Sequence, residues 1–236
     1  MLYSIVFEAM TKIPVYLMPG LAASPAIFEN IKLPEDQFEL FYLEWMIPLK
    51  DESLEQYARR MSEKVVHDQA VLVGVSFGGI LVQEMKQFLN VSKVIIVSSV
   101  KTNKELPRRM RFAKKTLAYK LLPTSLLTNI ENLVKYAYGS NVVAKRIKLY
   151  EKFLSVRDKY YLDWSIEKIV TWSRTLPDDE IIHVHGDKDE VFPIQYISNC
   201  IVVKGGTHIM ILNKFMWLNQ NLPQLILEEK IEKQAI

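Results

Sequence analysis

"VLVGVSFGGILVQEM", residues 71–85, decides the reading of the fold. An apolar, strand-like run breaks at Gly74, presents one hydroxyl at Ser76, and resumes behind Gly78 and Gly79. Beyond the break, Ile80, Leu81, Met85, Phe88 and Leu89 form one apolar stripe, which predicts a helix over 77–89. The plain reading is a tight strand-to-helix turn in which a serine happens to sit. The sharper one is that the turn exists to hold the hydroxyl out into a pocket.

Outward from this stretch the same alternation recurs. Short apolar and β-branched runs, "YSIVF", "VYLMP", "FELFYLEW", "AVLVGV", "KVIIVSS", "EIIHVHG" and "CIVVKG", are separated by helical patterns. Unbroken apolar runs suit strands buried on both faces, and their alternation with helices predicts a mostly parallel sheet flanked by helices, an α/β class. A helix is expected over 53–67, opened by Ser53 as N-cap with Gln56 three positions later. From residue 101 the strand signal stops until about 180, and Pro107, Pro123, Gly139 and Pro177 punctuate the helical stretch. The expected organisation is a core from 1–100 and 177–236, interrupted by a helical cap from 101–176.

The bulk properties fit this plan. A chain of 236 residues, 49% hydrophobic and 24% charged, suits one domain with an insertion. No apolar run reaches the roughly 18 residues of a membrane span. The stretch "MLYSIVFEAM" lacks a basic leader and carries Glu8, so it reads as a first strand, not as a signal peptide. Cys200 is the single cysteine, which excludes an internal disulfide and a cysteine metal cluster and favours a reducing, cytoplasmic setting. The net charge of +3 hides a segregation: residues 101–176 hold 17 Lys/Arg against 6 Asp/Glu, and the rest 13 against 21. Such a split speaks of surfaces and partners.

Gly74-Val75-Ser76-Phe77-Gly78 fits G-x-S-x-G between a strand and a helix, the context of a nucleophile elbow. Side chains at 74 and 78 would collide in such a turn, and the hydroxyl would stand at a helix N-terminus, where free N–H groups stabilise negative charge. A serine needs a base, and the base an orienting group. Of four histidines, His67 ends a charged helix, and His183 and His185 alternate on one strand, where packing or a local hydrogen bond is their plain role. His208 follows a strand and a glycine loop, where open α/β sheets place ligands, and is the best base. "HVHGDKDEVFP" supplies Asp187, Asp189 and Glu190 as candidate acids, any of which could merely cap a turn. Ser76, Asp189 and His208 follow one another in the order Ser…Asp…His.

"GVSFGG", "HGDKDEVFP" and "GGTH" together resemble the α/β-hydrolase superfamily. In that family's "HG-x-x-D-x-x-x-P"-like segment the triad acid occupies the place of Asp189, so the resemblance implies Asp189 over Asp187. "LMPGLAAS", residues 17–24, resembles the family's oxyanion loop, with Pro19-Gly20 where many members have His-Gly. The resemblance then implies an oxyanion hole from the backbone N–H groups of Leu21 and Phe77.

The expected activity is that of a serine hydrolase acting on a carboxylic ester or thioester through an acyl-enzyme, with no cofactor. A lyase or other non-hydrolytic use of the same three residues is a second reading, and a non-catalytic binding protein a third. "His183-Val184-His185-Gly186-Asp187" superficially resembles a metal run, but no histidine follows the aspartate, so no metal is expected. "KTNKELPRRMRFAKKTLAYK", residues 101–120, holds eight Lys/Arg and one Glu. It reads as a solvated face, as a surface for an anionic acyl substrate, or as a membrane-surface contact. Its aromatics form no stacking platform, so nucleic acid is not expected. Phe112, Tyr119, Tyr136, Tyr138, Tyr160, Tyr161 and Trp164 are expected to pack the cap or line an apolar pocket beneath it.

Overall fold

The computed structural model describes residues 12–121, 152, 153 and 155–228. "YSIVF", Pro123, Tyr136, Tyr138 and Gly139 lie outside the described residues. Six strands form one parallel sheet: β1 (Ile13–Met18), β2 (Phe38–Tyr42), β3 (Ala70–Val75), β4 (Val91–Val97), β5 (Ile182–Gly186) and β6 (Ile201–Val203). Their spatial order is β2-β1-β3-β4-β5-β6.

The two-residue period of the strands divides the core. Val15, Leu17, Val71, Val73, Ile95, Val97 and Val184 point to one face, and Tyr16, Met18, Leu72, Val94 and Ile96 to the other. Helices cover both. On the Tyr16 face lie α1 (Leu54–Ser62), α2 (Phe77–Met85) and α4 (Lys159–Thr171). On the Val15 face lie α5 (Met210–Asn213) and α6 (Phe215–Glu228), the latter through Leu218, Leu222, Leu225 and Ile226. Burial on both faces is why β3 reads as an unbroken apolar run.

Local signals explain the helix ends. Ser53 and Gln56 form a reciprocal capping box, with Gln56 N–H donating to Ser53 Oγ at 3.1 Å and Ser53 N–H to Gln56 Oε1 at 2.9 Å. Such a cap contributes about 1 kcal/mol. The helix expected over 53–67 ends at Ser62, after which Lys64 and Val65 donate three residues back, to Met61 and Ser62. Likewise α2 gives way at Lys86 to a tighter 3₁₀ turn, Lys86–Phe88. Almost every residue of α2 is buried, as expected of a helix apolar on all sides.

Between β4 and β5 the described residues contain no strand. They hold 3₁₀ turns at Asn103–Glu105 and Ala118–Leu121, α3 (Arg108–Thr116), and α4. The segment's return is tied to α2, where Glu84 Oε1 accepts from Arg174 at 3.0 Å and from the Trp172 indole at 3.1 Å.

Candidate active site

Strand register assembles the site before any side chain is considered. Met18 pairs with Gly74, Val75 with Val97, and Gly186 with Val203, so the loops after β1, β3, β5 and β6 all emerge along the carboxyl edge of the sheet. β1 and β3 are also where successive connections diverge, the position at which open parallel sheets form a crevice.

Ser76 occupies the turn after β3 with φ 54° and ψ −119°, a strained conformation for a residue with a side chain. Tight contacts hold it there. A Cβ on Gly74 would lie 2.4 Å from Gly78 O, and one on Gly78 2.3 Å from Pro19 O. Real carbon atoms do not approach backbone that closely, so the glycines are obligatory. Ser76 N–H donates to Val97 O at 2.9 Å, and Ser76 O accepts from the Ser99 hydroxyl at 2.7 Å.

The structure brings three predicted side chains into one chain of hydrogen bonds. Ser76 Oγ lies 2.9 Å from His208 Nε2, and His208 Nδ1 lies 2.9 Å from Asp189 Oδ2. A carboxylate accepts, so Nδ1 carries the proton and the Nε2 lone pair faces the serine hydroxyl. Asp189 is buried, and its other oxygen accepts from the N–H groups of Val191 and Phe192, each at 2.8 Å. Asp187 does something else: its Oδ1 accepts from Gly205 N–H at 2.6 Å and braces the glycine loop before His208. A Cβ on Gly186 would fall 2.2 Å from Gly206 O, so the loops carrying Asp189 and His208 meet backbone to backbone.

The loop after β1 lies against Ser76, since a Cβ on Gly20 would sit 3.3 Å from Ser76 Cβ. Among the described residues neither Leu21 N–H nor Phe77 N–H has a protein acceptor. Gly20 O is held by the Trp45 indole N–H at 2.8 Å and by Ala23 N–H at 3.1 Å. The Trp45 ring stacks on Phe77 at 4.9 Å, and the Tyr161 hydroxyl accepts from Ala22 N–H at 3.3 Å. Sequence reasoning missed Trp45 as the support of this loop. Its only signal was an isolated tryptophan just after a strand.

The other histidines stand apart from the serine. His67 is exposed, with its Nδ1 2.7 Å from the Tyr16 hydroxyl. His183 and His185 are buried side by side, His183 Nε2 lying 3.1 Å from His185 Nδ1. His185 Nε2 donates to Phe192 O at 2.8 Å, so this pair backs the turn that holds Asp189. Burial pushes both imidazoles below the usual histidine range, His183 well below it. Among the described residues no group of three or more His, Cys, Asp or Glu is placed to hold a metal ion. No described helix is long and apolar enough to cross a membrane.

Ser76 and His208 open into a pocket of about 870 Å³. Its far wall comes from the segment between β4 and β5, including Met110, Ala113, Tyr119, Phe153, Ile166 and Val170. Of the expected cap aromatics, Tyr119 lines this pocket, whereas Tyr161 and Trp164 pack into the core and Phe112 and Tyr160 are exposed. The basic face of α3 is partly engaged. Arg109 donates to Glu190 O at 2.7 Å and Val191 O at 3.0 Å, and Lys114 to Thr171 O at 3.1 Å. A second cleft of about 580 Å³, lined by residues such as Glu84, Lys168 and Arg174, includes none of Ser76, Asp189 and His208.

No protein-family model matches the chain, and no curated protein matches it significantly. Solved structures do match. BpoC from Mycobacterium tuberculosis H37Rv, a candidate non-heme bromoperoxidase, aligns with a TM-score of 0.66 at 14% identity, over 94% of each chain. The hydrolase olei00960 from Oleispira antarctica aligns at 0.64 and 16% identity, over 92% of each chain. The esterase EaEST from Exiguobacterium antarcticum gives 0.63 at 17% identity, again over 92% of each. The chain therefore has the α/β-hydrolase fold, as the resemblance of its motifs implied.

Proposed function

We propose that this protein is a serine hydrolase that cleaves a carboxylic ester or thioester through an acyl-enzyme. The observation that carries the proposal is the unbroken hydrogen-bond chain from Ser76 through His208 to buried Asp189, opening into an apolar pocket. The esterase and hydrolase among the similar folds support it.

In this reading Ser76 Oγ attacks the substrate carbonyl carbon while His208 Nε2 takes the hydroxyl proton. Asp189 holds the imidazole in the required tautomer and stabilises the imidazolium. Negative charge develops on the carbonyl oxygen, which the N–H groups of Leu21 and Phe77 receive. Each such donor is worth about 10²–10³ in rate. Collapse breaks the bond to the leaving group, which departs with the proton from His208 and leaves acyl-Ser76. Water, deprotonated by the same histidine, then attacks the acyl-enzyme and returns the serine. Residues 101–176 act as a cap that shapes the acyl side of the pocket and limits water, and the free thiol of Cys200 suits a reducing, cytoplasmic setting.

The test is intact-mass labelling with a fluorophosphonate probe, on wild type, Ser76→Ala and His208→Ala, beside p-nitrophenyl esters and acyl-CoAs. One adduct on wild type and none on Ser76→Ala is expected. Folded wild-type protein that takes no adduct and turns over no ester would overturn the proposal.

A further inference from the structure

We infer that the pocket above Ser76 selects an uncharged, medium-chain acyl group, hexanoyl to decanoyl. This rests on the hydrolase reading and adds to it the chemistry of the substrate.

The walls carry the argument. Ile27, Phe153, Ile166, Val170, Ile211 and Leu212 are aliphatic or aromatic and come from both sides, the 3₁₀ turn Pro25–Phe28 and α5 on the core side and the segment between β4 and β5 on the other. Side chains able to hydrogen-bond are confined to Ser76, His208, Tyr119 and Arg109 among the described lining residues. The first two are engaged with each other, and Arg109 gives one guanidinium nitrogen to the carbonyls of Glu190 and Val191. Among the described lining residues, a carboxylate carried past Ser76 would meet mostly apolar side chains, with Arg109 already bonded to two carbonyls, so its loss of water is poorly compensated. An alkyl chain there gains from each methylene it buries.

Size points the same way. Pockets of roughly 300–1,000 Å³ enclose ligands of drug-like size, and about 870 Å³ lies toward the upper end. An acetyl group would leave most of the apolar wall uncovered. Each buried methylene is worth about fourfold in binding, and chain contacts that position the carbonyl are expressed in kcat/KM.

The experiment compares four substrates on wild type: the p-nitrophenyl esters of acetate, butanoate and octanoate, and the half-ester of octanedioate, which has the octanoyl length with a carboxylate at its end. The expected kcat/KM rises at least about a hundredfold from acetate to octanoate. It falls about as far again for the half-ester at neutral pH. Ile166→Asp, checked for folding by circular dichroism, is expected to narrow the octanoate-to-acetate ratio by at least about tenfold. A flat or falling chain-length profile, with Ser76 still labelled by fluorophosphonate, would overturn the acyl assignment and leave the hydrolase standing. A half-ester as good as octanoate would do the same and make Arg109 an anion anchor. Absence of both labelling and turnover would overturn the hydrolase reading, and this assignment with it.

Discussion

The two walls of the pocket are built on different terms. The lower wall, the carboxyl edge of the sheet, is held backbone against backbone: Gly74 on Gly78, Gly78 on Pro19, Gly186 on Gly206. In the upper wall, α3 and α4 are joined by a side chain, Lys114 on the end of α4, and α3 reaches the core through another, Arg109 on the carbonyls of residues 190 and 191. Backbone bonds to the core, such as Ser24 N–H to Phe153 O, lie outside these two helices. Backbone contacts at van der Waals limits tolerate no substitution, whereas side-chain contacts can be exchanged singly at modest cost. On the proposed hydrolase reading, the reacting atoms belong to the first wall and much of the substrate's shape to the second, so specificity can change without disturbing chemistry.

The comparison breaks if the lower wall proves tolerant. Ser76→Ala should lower turnover by about 10⁴–10⁶ while circular dichroism and melting temperature stay near wild type. Near-normal turnover would remove the serine from the chemistry. Asp189→Asn should cost about 10⁴ in kcat, because an amide no longer fixes the tautomer of His208. The partner variant Asp187→Asn sharpens the point: its side chain braces Gly205, so kinetics should show a loss of no more than about tenfold. Equal losses would mean that the two aspartates share the role.

Gly78→Ala tests the backbone contact itself. The added methyl would press on Pro19 O and Met18 O, and equilibrium denaturation should report a loss of about 3 kcal/mol or more, or no folded protein. A loss below 1 kcal/mol would show that the turn can relax.

The buried pair behind Asp189 predicts a pH dependence. His183 and His185 have folded-state values depressed below 6.5 by burial first, and for His183 by the neighbouring charges of His185 and Lys101. The unfolded chain therefore binds more protons than the folded one between the depressed values and 6.5, so stability falls as pH drops below about 6.5. Denaturation at pH 7 and pH 5 should show this, and His183→Gln/His185→Gln should flatten the slope. An unchanged slope would place the acid sensitivity elsewhere.

Smallest of all is Lys114→Ala on the upper wall. It removes a partly exposed bond to the carbonyl end of α4 and should cost about 1 kcal/mol or less by thermal melting. A loss comparable to that of Gly78→Ala would end the distinction between the walls.

Much of the lower wall was legible in the chain because its constraints are local. Strand runs, the capping box at Ser53 and the glycines about Ser76 each follow from the sterics of a few neighbouring residues. Ser76 and His208 could be named because each closes a strand or follows a glycine loop, and Asp189 because its segment resembles the acid-bearing motif of the α/β-hydrolase superfamily. Helix ends were read too long, since where a turn tightens at Ser62 or Lys86 depends on what the chain does next. The aromatic support was missed because Trp45 reaches Gly20 across 25 positions, once β2 has paired beside β1, and nothing near either residue announces the bond.

By itself the sequence determined an alternating strand-and-helix chain, a tight glycine-flanked serine turn and a basic stretch in which the strand signal stops. Only the tertiary structure decided the strand order β2-β1-β3-β4-β5-β6, and with it which loops share an edge. It also placed Asp189 on His208 and Asp187 on Gly205, a distinction that residue type and spacing left open and that only the motif resemblance had suggested. The physical reason is range. Backbone sterics and periodicity act over a few residues and can be read along the chain, whereas hydrogen bonds spanning 132 positions, as between Ser76 and His208, exist only once the sheet has set its register.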